Sequence, residues 1–274
     1  MHSSQWLTET TTQLMNAGIT TARLDCLILL EDATGHDRAW LLAHPERELQ
    51  GSEVKDLNTK VAQRAKHVPL AYIRGHVEFY GRTFAVTPHT LIPRPETEAM
   101  IDTLKTLDLE PGLHVRDIGT GSGCIAITAA LELPHTHVSG SDIDPACVVV
   151  AQQNATALGV DVLFFQSDLL AQHQAPPAKS PNILLANLPY VPDNFQINTA
   201  ATHEPRSALF GGMDGLDLYR RMFMEVNSLD TKPTLVLTES LPPQHEALSA
   251  IAGAANYRLS KTTDFIQLFT LRAH

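Results

Sequence analysis

The sequence has few cysteines and no long apolar run. Its 274 residues include Cys26, Cys124 and Cys147, an odd number without paired spacing. This pattern argues against a disulfide framework, so the three thiols are expected in apolar surroundings. No stretch approaches the ~18 consecutive apolar residues that indicate a membrane-spanning helix. Residues 1–6 also lack the basic and then apolar order of a signal peptide, so we expect a cytoplasmic protein without a membrane partner.

The sequence also lacks an excess of positive charge. Thirty acidic residues against twenty basic ones give a formal net charge of −10. Because clustered lysine and arginine attract proteins to a phosphate backbone, this balance disfavours direct nucleic-acid binding, although local basic patches stay compatible with it. The thirteen histidines are scattered without the spacing of a zinc motif, so no metal site is expected. With 43% hydrophobic residues the chain can bury a substantial core.

Residues 1–75 carry short apolar stripes at helical spacing. This pattern predicts a small helical bundle with connections of a few residues. Gly35 follows the second stripe and is expected to end that helix. Ser52 precedes the fourth stripe and is expected to cap the helix that carries it. We therefore predict a helical domain at residues 1–75.

The pattern changes to strands after the helical region. Residues 77–80 and 83–86 are typical of two short strands, with Gly81-Arg82 as the turn between them. Because this hairpin separates an all-helical region from an alternating one, we predict a linker at residues 76–93. The remaining residues, 94–274, form the second predicted domain.

Strand and helix patterns alternate from Pro95 onwards. Such alternation predicts a mostly parallel sheet with helices on both faces and ligands at the carboxyl ends of its strands. The short run at residues 175–178, rich in alanine and proline, is expected to be a surface loop. The candidate strands are residues 114–118, 137–141, 162–166, 183–186, 234–238 and 265–271, and the candidate helices are residues 96–107, 123–132, 145–158, 216–228 and 243–255.

The first strand-to-helix turn of this domain is rich in glycine. Glycines at 119, 121 and 123 allow the backbone to turn tightly and to approach a ligand closely. A nicotinamide dinucleotide site would want its third glycine at position 124, where this chain has Cys124. Asp117 precedes the loop, and a carboxylate favours the cationic sulfonium and ammonium groups of S-adenosylmethionine over a pyrophosphate. The alternative is an ordinary turn whose aspartates cap helices.

Two aspartates at predicted strand ends favour the cofactor interpretation. Asp142 ends the second strand, where it can accept hydrogen bonds from both ribose hydroxyls. Asp168 follows the third strand and is placed to accept a hydrogen bond from the adenine amino group. The predicted cofactor is therefore S-adenosylmethionine.

The loop Asn187-Leu188-Pro189-Tyr190 follows the fourth predicted strand and indicates the reaction class. An amide or aromatic-amine nitrogen delocalises its lone pair, so it is a poor nucleophile that binding must orient. If the Asn187 side-chain oxygen and the Leu188 carbonyl each accept one N–H, the lone pair points at the methyl group. Pro189 restricts the Leu188 backbone, and Tyr190 offers an aromatic face. The alternative is a strand-end turn with asparagine and proline serving turn chemistry alone.

Further motifs occur along nearly the whole chain. They lie at residues 23–25, 69–75, 78–81, 91–98, 204–212 and 214–220, in addition to the glycine loop and the acceptor loop. In these motifs and in their order the chain resembles the protein-(glutamine-N5) methyltransferases, which modify the Gly-Gly-Gln glutamine of bacterial peptide chain release factors.

This resemblance implies an α/β fold, a seven-stranded Rossmann-like class I methyltransferase domain joined by a β-hairpin to a small helical bundle that docks the substrate. It implies methyl transfer from S-adenosylmethionine to the glutamine amide nitrogen of class 1 release factors, by a monomer. The segment at residues 91–98 is expected to wall the site or to act as a hinge. The expected catalytic residues are Asn187, Leu188, Pro189 and Tyr190, and the expected cofactor-binding residues are Gly119, Thr120, Gly121, Ser122, Gly123, Asp142, Asp168, Leu169 and Asn187.

Two positions depart from the pattern of that family. Its usual acceptor loop has proline where this chain has Leu188, so the loop gains an N–H and loses a rigid ring, with activity expected to remain. Leu169 stands where some relatives carry tryptophan, which predicts weaker stacking on the adenine.

Three alternatives stay open at this point. A glutamine of a large-subunit ribosomal protein is one other substrate, and residues 91–98 favour the release factor over it. An adenine-N6 nucleic-acid methyltransferase would need a basic stripe and a flipped base. A cofactor-binding adaptor without catalysis is disfavoured by the intact Asn187.

Overall fold

A computed structural model gives the structure of the protein and describes residues 1–171 and 180–273. The predicted surface loop at residues 175–178 lies outside the described residues. The chain divides into two compact units, one of Met1–Gly75 with Asn198–His203 and the other of His76–Ile197 with Glu204–His274. In the described parts of the chain, no helix combines the length and the apolar character needed to cross a bilayer.

The first unit is helical and packs around an apolar centre that includes Trp6 and Leu57. Gly35 ends the second helix in the left-handed conformation, as expected. The expectation that Ser52 caps the fourth helix is wrong. That helix begins at Gly51, its capping position is Gln50, and the Gln50 backbone N–H donates to the Glu53 side chain at 2.7 Å. The helices are α1 (Ser3–Asn16), α2 (Ala22–Thr34), α3 (Arg38–Ala43), α4 (Gly51–Arg64) and α5 (Leu70–Arg74), with a short 3-10 turn at Ala201–His203.

A β-hairpin opens the second unit, with β1 at His76–Phe79 and β2 at Arg82–Ala85. Tyr80 and Gly81 form its two-residue turn with φ of 51° and 69°. Two positive φ values are what a tight hairpin turn requires, since they match the twist of the strands. The turn therefore lies one residue earlier than the predicted Gly81-Arg82.

A seven-stranded sheet forms the rest of this unit and confirms the predicted class I methyltransferase fold. Its strand order is β5-β4-β3-β6-β7-β9-β8. Strands β3 to β8 run in the same direction, and only β9, which lies between β7 and β8, is antiparallel to them in this described sheet. The strands are β3 (His114–Ile118), β4 (His137–Asp142), β5 (Leu163–Gln166), β6 (Ile183–Ala186), β7 (Leu235–Glu239), β8 (Tyr257–Thr263) and β9 (Ile266–Leu271).

Helices pack on this sheet, and their apolar residues form two clusters. The strand order reverses at β3, whose neighbours are β4 and β6, so the ends of these three strands leave a crevice. The helices are α6 (Glu98–Lys105), α7 (Cys124–Glu132), α8 (Pro145–Leu158), α9 (Arg206–Leu209), α10 (Asp217–Asn227) and α11 (His245–Ala254), with 3-10 turns at Pro95–Thr97 and Pro242–Gln244.

Candidate functional site

A cavity of about 250 Å³ lies at the carboxyl ends of the central strands. It is lined from both sides of the crevice, by the glycine loop after β3 and by the loop after β6. Leu91, from the segment expected to wall the site, also lines it. The predicted site residues in its lining are Gly119, Gly121, Asp142, Asp168, Leu169, Asn187, Leu188 and Pro189.

Asp142 fixes the glycine loop from the end of β4. Its Oδ2 accepts the Gly121 N–H at 2.9 Å and its Oδ1 accepts the Asp144 N–H at 3.0 Å. Each carboxylate oxygen can accept a second hydrogen bond, so the side chain keeps capacity for a ligand. Burial raises the pKa of this carboxyl, although the backbone N–H groups oppose that shift.

Three predicted residues of the loop shape it and are absent from the described cavity lining. The Thr120 hydroxyl donates to the fully buried Asp117 at 2.6 Å, while the Ser122 carbonyl accepts from Asn154 at 2.8 Å. Gly123 precedes α7 with a φ of 81°. Burial raises the pKa of Asp117 to about 7, and its Oδ1 has no hydrogen-bond partner among the described residues. A buried acid of this kind favours a cation bound nearby.

The loop after β5 supplies Asp168 and Leu169. Asp168 Oδ2 accepts a hydrogen bond from Arg221 at 2.8 Å, and Arg221 also lines the cavity. Leu169 is buried with a φ of 51°, and its carbonyl lies 3.4 Å from the Arg116 guanidinium. Burial lowers the pKa of Arg116 to about 10. Arg221 was not predicted as a site residue, because an exposed arginine on a helix is ordinarily a solvated charge.

Asn187 projects from the end of β6 into the lining of the cavity. Its Nδ2 donates to the Thr97 hydroxyl at 3.1 Å. Because the amide nitrogen is engaged by the protein, Oδ1 is the atom that the side chain offers to a ligand as an acceptor. Thr97 was missed as a site residue, although it lies in the segment 91–98 that the sequence singled out.

Tyr190 is held from behind by a buried carboxylate and is absent from the described cavity lining. Its hydroxyl donates to Glu239 Oε1 at 2.9 Å, and its carbonyl accepts from Gln244 Nε2 at 2.8 Å. Glu239 ends β7 and is 1% exposed, and burial raises the pKa of its carboxyl. A glutamate that ends a buried strand was a usable signal for this site, and the sequence reasoning missed it.

The segment at residues 204–220 lies against the same loop. A Cβ built at Gly215 would come within 2.0 Å of the Tyr190 carbonyl oxygen, so only glycine fits at this approach. Glu204 accepts the Ile92 N–H at 3.1 Å and pairs with Arg94. Two motifs that are far apart in sequence therefore meet beside the acceptor loop. In the described chain, no group of three or more potential ligands is placed to hold a metal ion.

The fold and this site define a class I methyltransferase. In solved structures, the chain is similar to a ribosomal-protein methylase of Lactobacillus delbrueckii, at 17% identity and a TM-score of 0.50 over 69% of this chain and 84% of the other. It is also similar to a 16S ribosomal RNA methyltransferase of T. thermophilus, at 16% identity and a TM-score of 0.52 over 72% and 50%. At these identities the likeness supports the fold alone.

Family models and curated relatives identify the family. The PrmC N-terminal domain matches residues 5–75 and the methyltransferase small domain matches residues 95–204. The release factor glutamine methyltransferase of Koribacter versatilis is 41% identical over 209 residues, 74% of each chain. That of Coxiella burnetii is 35% identical over 260 residues, covering 94% of this chain and 93% of the relative. The chain belongs to the family of release factor glutamine methyltransferases.

Proposed function

We propose that the protein transfers a methyl group from S-adenosylmethionine to the side-chain amide nitrogen of the Gly-Gly-Gln glutamine in class 1 peptide chain release factors. The observation that carries this proposal is the placement of Asn187. Its amide nitrogen is engaged by Thr97, and its side chain lines a cavity shared with Gly121 and Asp142. The Asn187 oxygen that would bind the glutamine amide and the candidate site for the methyl donor therefore lie in one cavity.

The cavity suits S-adenosylmethionine in shape and charge. Asp142 would hold the ribose hydroxyls, Asp168 the adenine amino group, and Leu169 would pack on the adenine. Gly119 to Gly123 would lie along the rest of the cofactor, near the buried carboxyl of Asp117, whose ionised form a bound cation would favour. When bound, this cofactor supplies a methyl group on a positively charged sulfur.

The acceptor loop would bind the glutamine amide by its two N–H bonds. Asn187 Oδ1 would accept one and the Leu188 carbonyl the other, and the Tyr190 ring would lie against the planar group. This geometry favours lone-pair density on the nitrogen directed across the cavity. A proton then leaves the methylated nitrogen for water, so the chain supplies orientation and needs no general base.

The helical unit is proposed to dock the release factor, since residues 5–75 match a domain of this family. We also propose a monomer that works in the cytoplasm, where its substrate serves translation, without binding nucleic acid directly. The net charge of −10 supports the last point.

The test offers labelled S-adenosylmethionine with four acceptors, each in a separate reaction. They are a release factor, the same factor with alanine in place of the Gly-Gly-Gln glutamine, a large-subunit ribosomal protein and adenine-rich DNA. Label in the intact release factor alone is the expected result. Label only in the ribosomal protein or only in DNA would overturn the proposed substrate.

A further inference from the structure

Behind the acceptor loop, one tyrosine hydroxyl meets three backbone groups. The Leu188 N–H donates to the Tyr219 hydroxyl at 3.2 Å. The same hydroxyl lies 3.2 Å from the Ala186 carbonyl oxygen and is hydrogen-bonded to the Glu239 carbonyl. Tyr219 projects from α10 and is 0% exposed, so this junction is closed to water.

The N–H of Leu188 has this hydroxyl as its hydrogen-bond acceptor. A hydroxyl has one proton to donate and two lone pairs, so it can accept from Leu188 while donating towards the carbonyls. Leu188 is 3% exposed, which leaves little access for water as a substitute. A buried N–H without an acceptor is destabilising, because it gives up its hydrogen bond to water and gains none in the protein. The proline that is usual at position 188 in the family has no N–H. The need for an acceptor therefore arises from the leucine of this chain.

The two backbone groups of the loop that meet Tyr219 lie on either side of Asn187. The Ala186 carbonyl precedes that residue and the Leu188 N–H follows it. Since each peptide unit is planar, fixing these two groups fixes the planes between which the Asn187 side chain projects. Pro189 limits the Leu188 backbone to extended conformations, so a fixed N–H plane also aims the Leu188 carbonyl.

We propose that Tyr219 is a positioning residue for methyl transfer, which holds the Asn187 and Leu188 oxygens in one fixed arrangement through the Leu188 N–H. The inference deepens the proposed function and rests on it. Tyr219 touches neither methyl donor nor acceptor and acts only through the loop.

Tyr219→Phe tests this role, with Tyr257→Phe as the matched control. Tyr257 lies in the same apolar cluster, is also 0% exposed, and donates its hydroxyl to the Pro233 carbonyl at 2.6 Å, outside the acceptor loop. Both variants lose one buried hydroxyl. We expect Tyr219→Phe to lower kcat on the release factor about tenfold or more, as an unpaired buried N–H implies, and to leave the Kd for S-adenosylmethionine within about twofold. Tyr257→Phe should lower Tm without lowering kcat.

A double-mutant cycle tests the route through the Leu188 N–H. Leu188→Pro removes that donor, so Tyr219→Phe should lose most of its effect when added to it, whatever the turnover of Leu188→Pro alone. The same cycle in the free energy of unfolding by urea gives a second measure that does not require turnover. Purely additive losses in both measures would overturn the proposal.

The other outcomes are also distinct. Equal kcat for Tyr219→Phe and Tyr257→Phe, with the native protein active, would overturn the positioning role alone. A native protein that leaves the release factor unlabelled would overturn the proposed function. In that case, coupling between positions 188 and 219 in unfolding would show a structural role only.

Discussion

The two sides of the cavity are built in different ways. On the cofactor side, Gly121 is held by Asp142, its partner 21 residues further along the chain. On the acceptor side, Asn187 is held by Thr97 across 90 residues and Tyr190 by Glu239 across 49. The glycine loop of the cofactor side is therefore a local feature that a motif can specify. The acceptor side depends on the assembled fold, as does the pairing of Asp168 with Arg221 across 53 residues.

The two sides also differ in the groups that lie next to a bound ligand. The cofactor side has the buried carboxyls of Asp117 and Asp142, whose pKa values are raised by burial. The acceptor side offers neutral oxygens, from an amide and a backbone carbonyl, and its buried carboxyl, Glu239, lies behind Tyr190. This difference suits the cationic methyl donor on one side and the uncharged NH₂ of the glutamine on the other. Variants on the cofactor side should therefore mainly change the Kd for S-adenosylmethionine, and variants on the acceptor side should mainly change kcat.

The largest effect is expected from Asn187→Ala on the acceptor side. The variant removes one of two oxygens proposed to orient the NH₂, so kcat should fall about 1,000-fold, as for the loss of a preorganised polar group. The Kd for S-adenosylmethionine should change by less than about threefold, since the other cofactor contacts remain. Kinetics and calorimetry on the same preparation measure both. An equal loss in both would mean that Asn187 serves the cofactor side instead.

Asp142→Asn is the corresponding change on the cofactor side. The amide keeps the size of the side chain but has one acceptor oxygen for the Gly121 and Asp144 N–H groups, and it loses the negative charge. We expect the Kd for S-adenosylmethionine to rise about 30-fold, with kcat at saturating cofactor within about fivefold. An unchanged Kd would contradict the assignment of Asp142 to cofactor binding.

The sequence predicted the elements whose signals are local. The strands at His114–Ile118 and Ile183–Ala186 and the helix at Pro145–Leu158 have the predicted bounds. The first strand ends at the glycine loop, the second is apolar throughout, and the helix has Asp144 as its cap and Gly159 after its end. Strand β8 was missed because only Tyr257 at its start is buried, so this edge strand shows no apolar alternation.

The same distinction applies within the site. Asp142, Asp168 and Asn187 follow strands, and the fold's ligand rule was enough to predict a shared cavity for them. Glu239 also follows a predicted strand and could have been predicted by the same rule, whereas Tyr219 could not, because its contact with the acceptor loop joins distant segments. A single sequence contains the identities of such residues but does not show which of them will meet.

Asp117, on the cofactor side, makes the free energy of unfolding depend on pH. Its pKa is raised to about 7 in the folded protein, above the ordinary value near 4, because burial disfavours the charged form. The folded state therefore binds this proton more tightly, and the contribution to stability is full below pH of about 4 and is lost as the pH rises towards 7.

Asp117→Asn should flatten this dependence. The free energy of unfolding of the native protein should decline between pH 4.5 and 7 by at most about 1.4 kcal/mol per pH unit from this group, and the variant should decline less steeply. Urea unfolding at several pH values measures the slope. Asp230→Asn, on the exposed surface, serves as the control and should keep the native slope. A variant with the native slope would show that Asp117 is ionised in the folded state throughout this range.

The smallest effect is expected from Tyr190→Phe, which returns to the acceptor side. The variant keeps the aromatic ring and removes the hydroxyl bond to Glu239, so the ring should remain in place with less restraint. Losing one such bond predicts about a fivefold fall in kcat and an unchanged Kd for S-adenosylmethionine. Tyr80→Phe is the matched control, since the Tyr80 hydroxyl also donates to a carboxylate, Asp102, at 2.8 Å, but lies in the hairpin. Because both variants lose a tyrosine–carboxylate bond, a fall in kcat confined to Tyr190→Phe assigns the effect to the acceptor loop, and equal kcat values would remove Glu239 from the support of that loop.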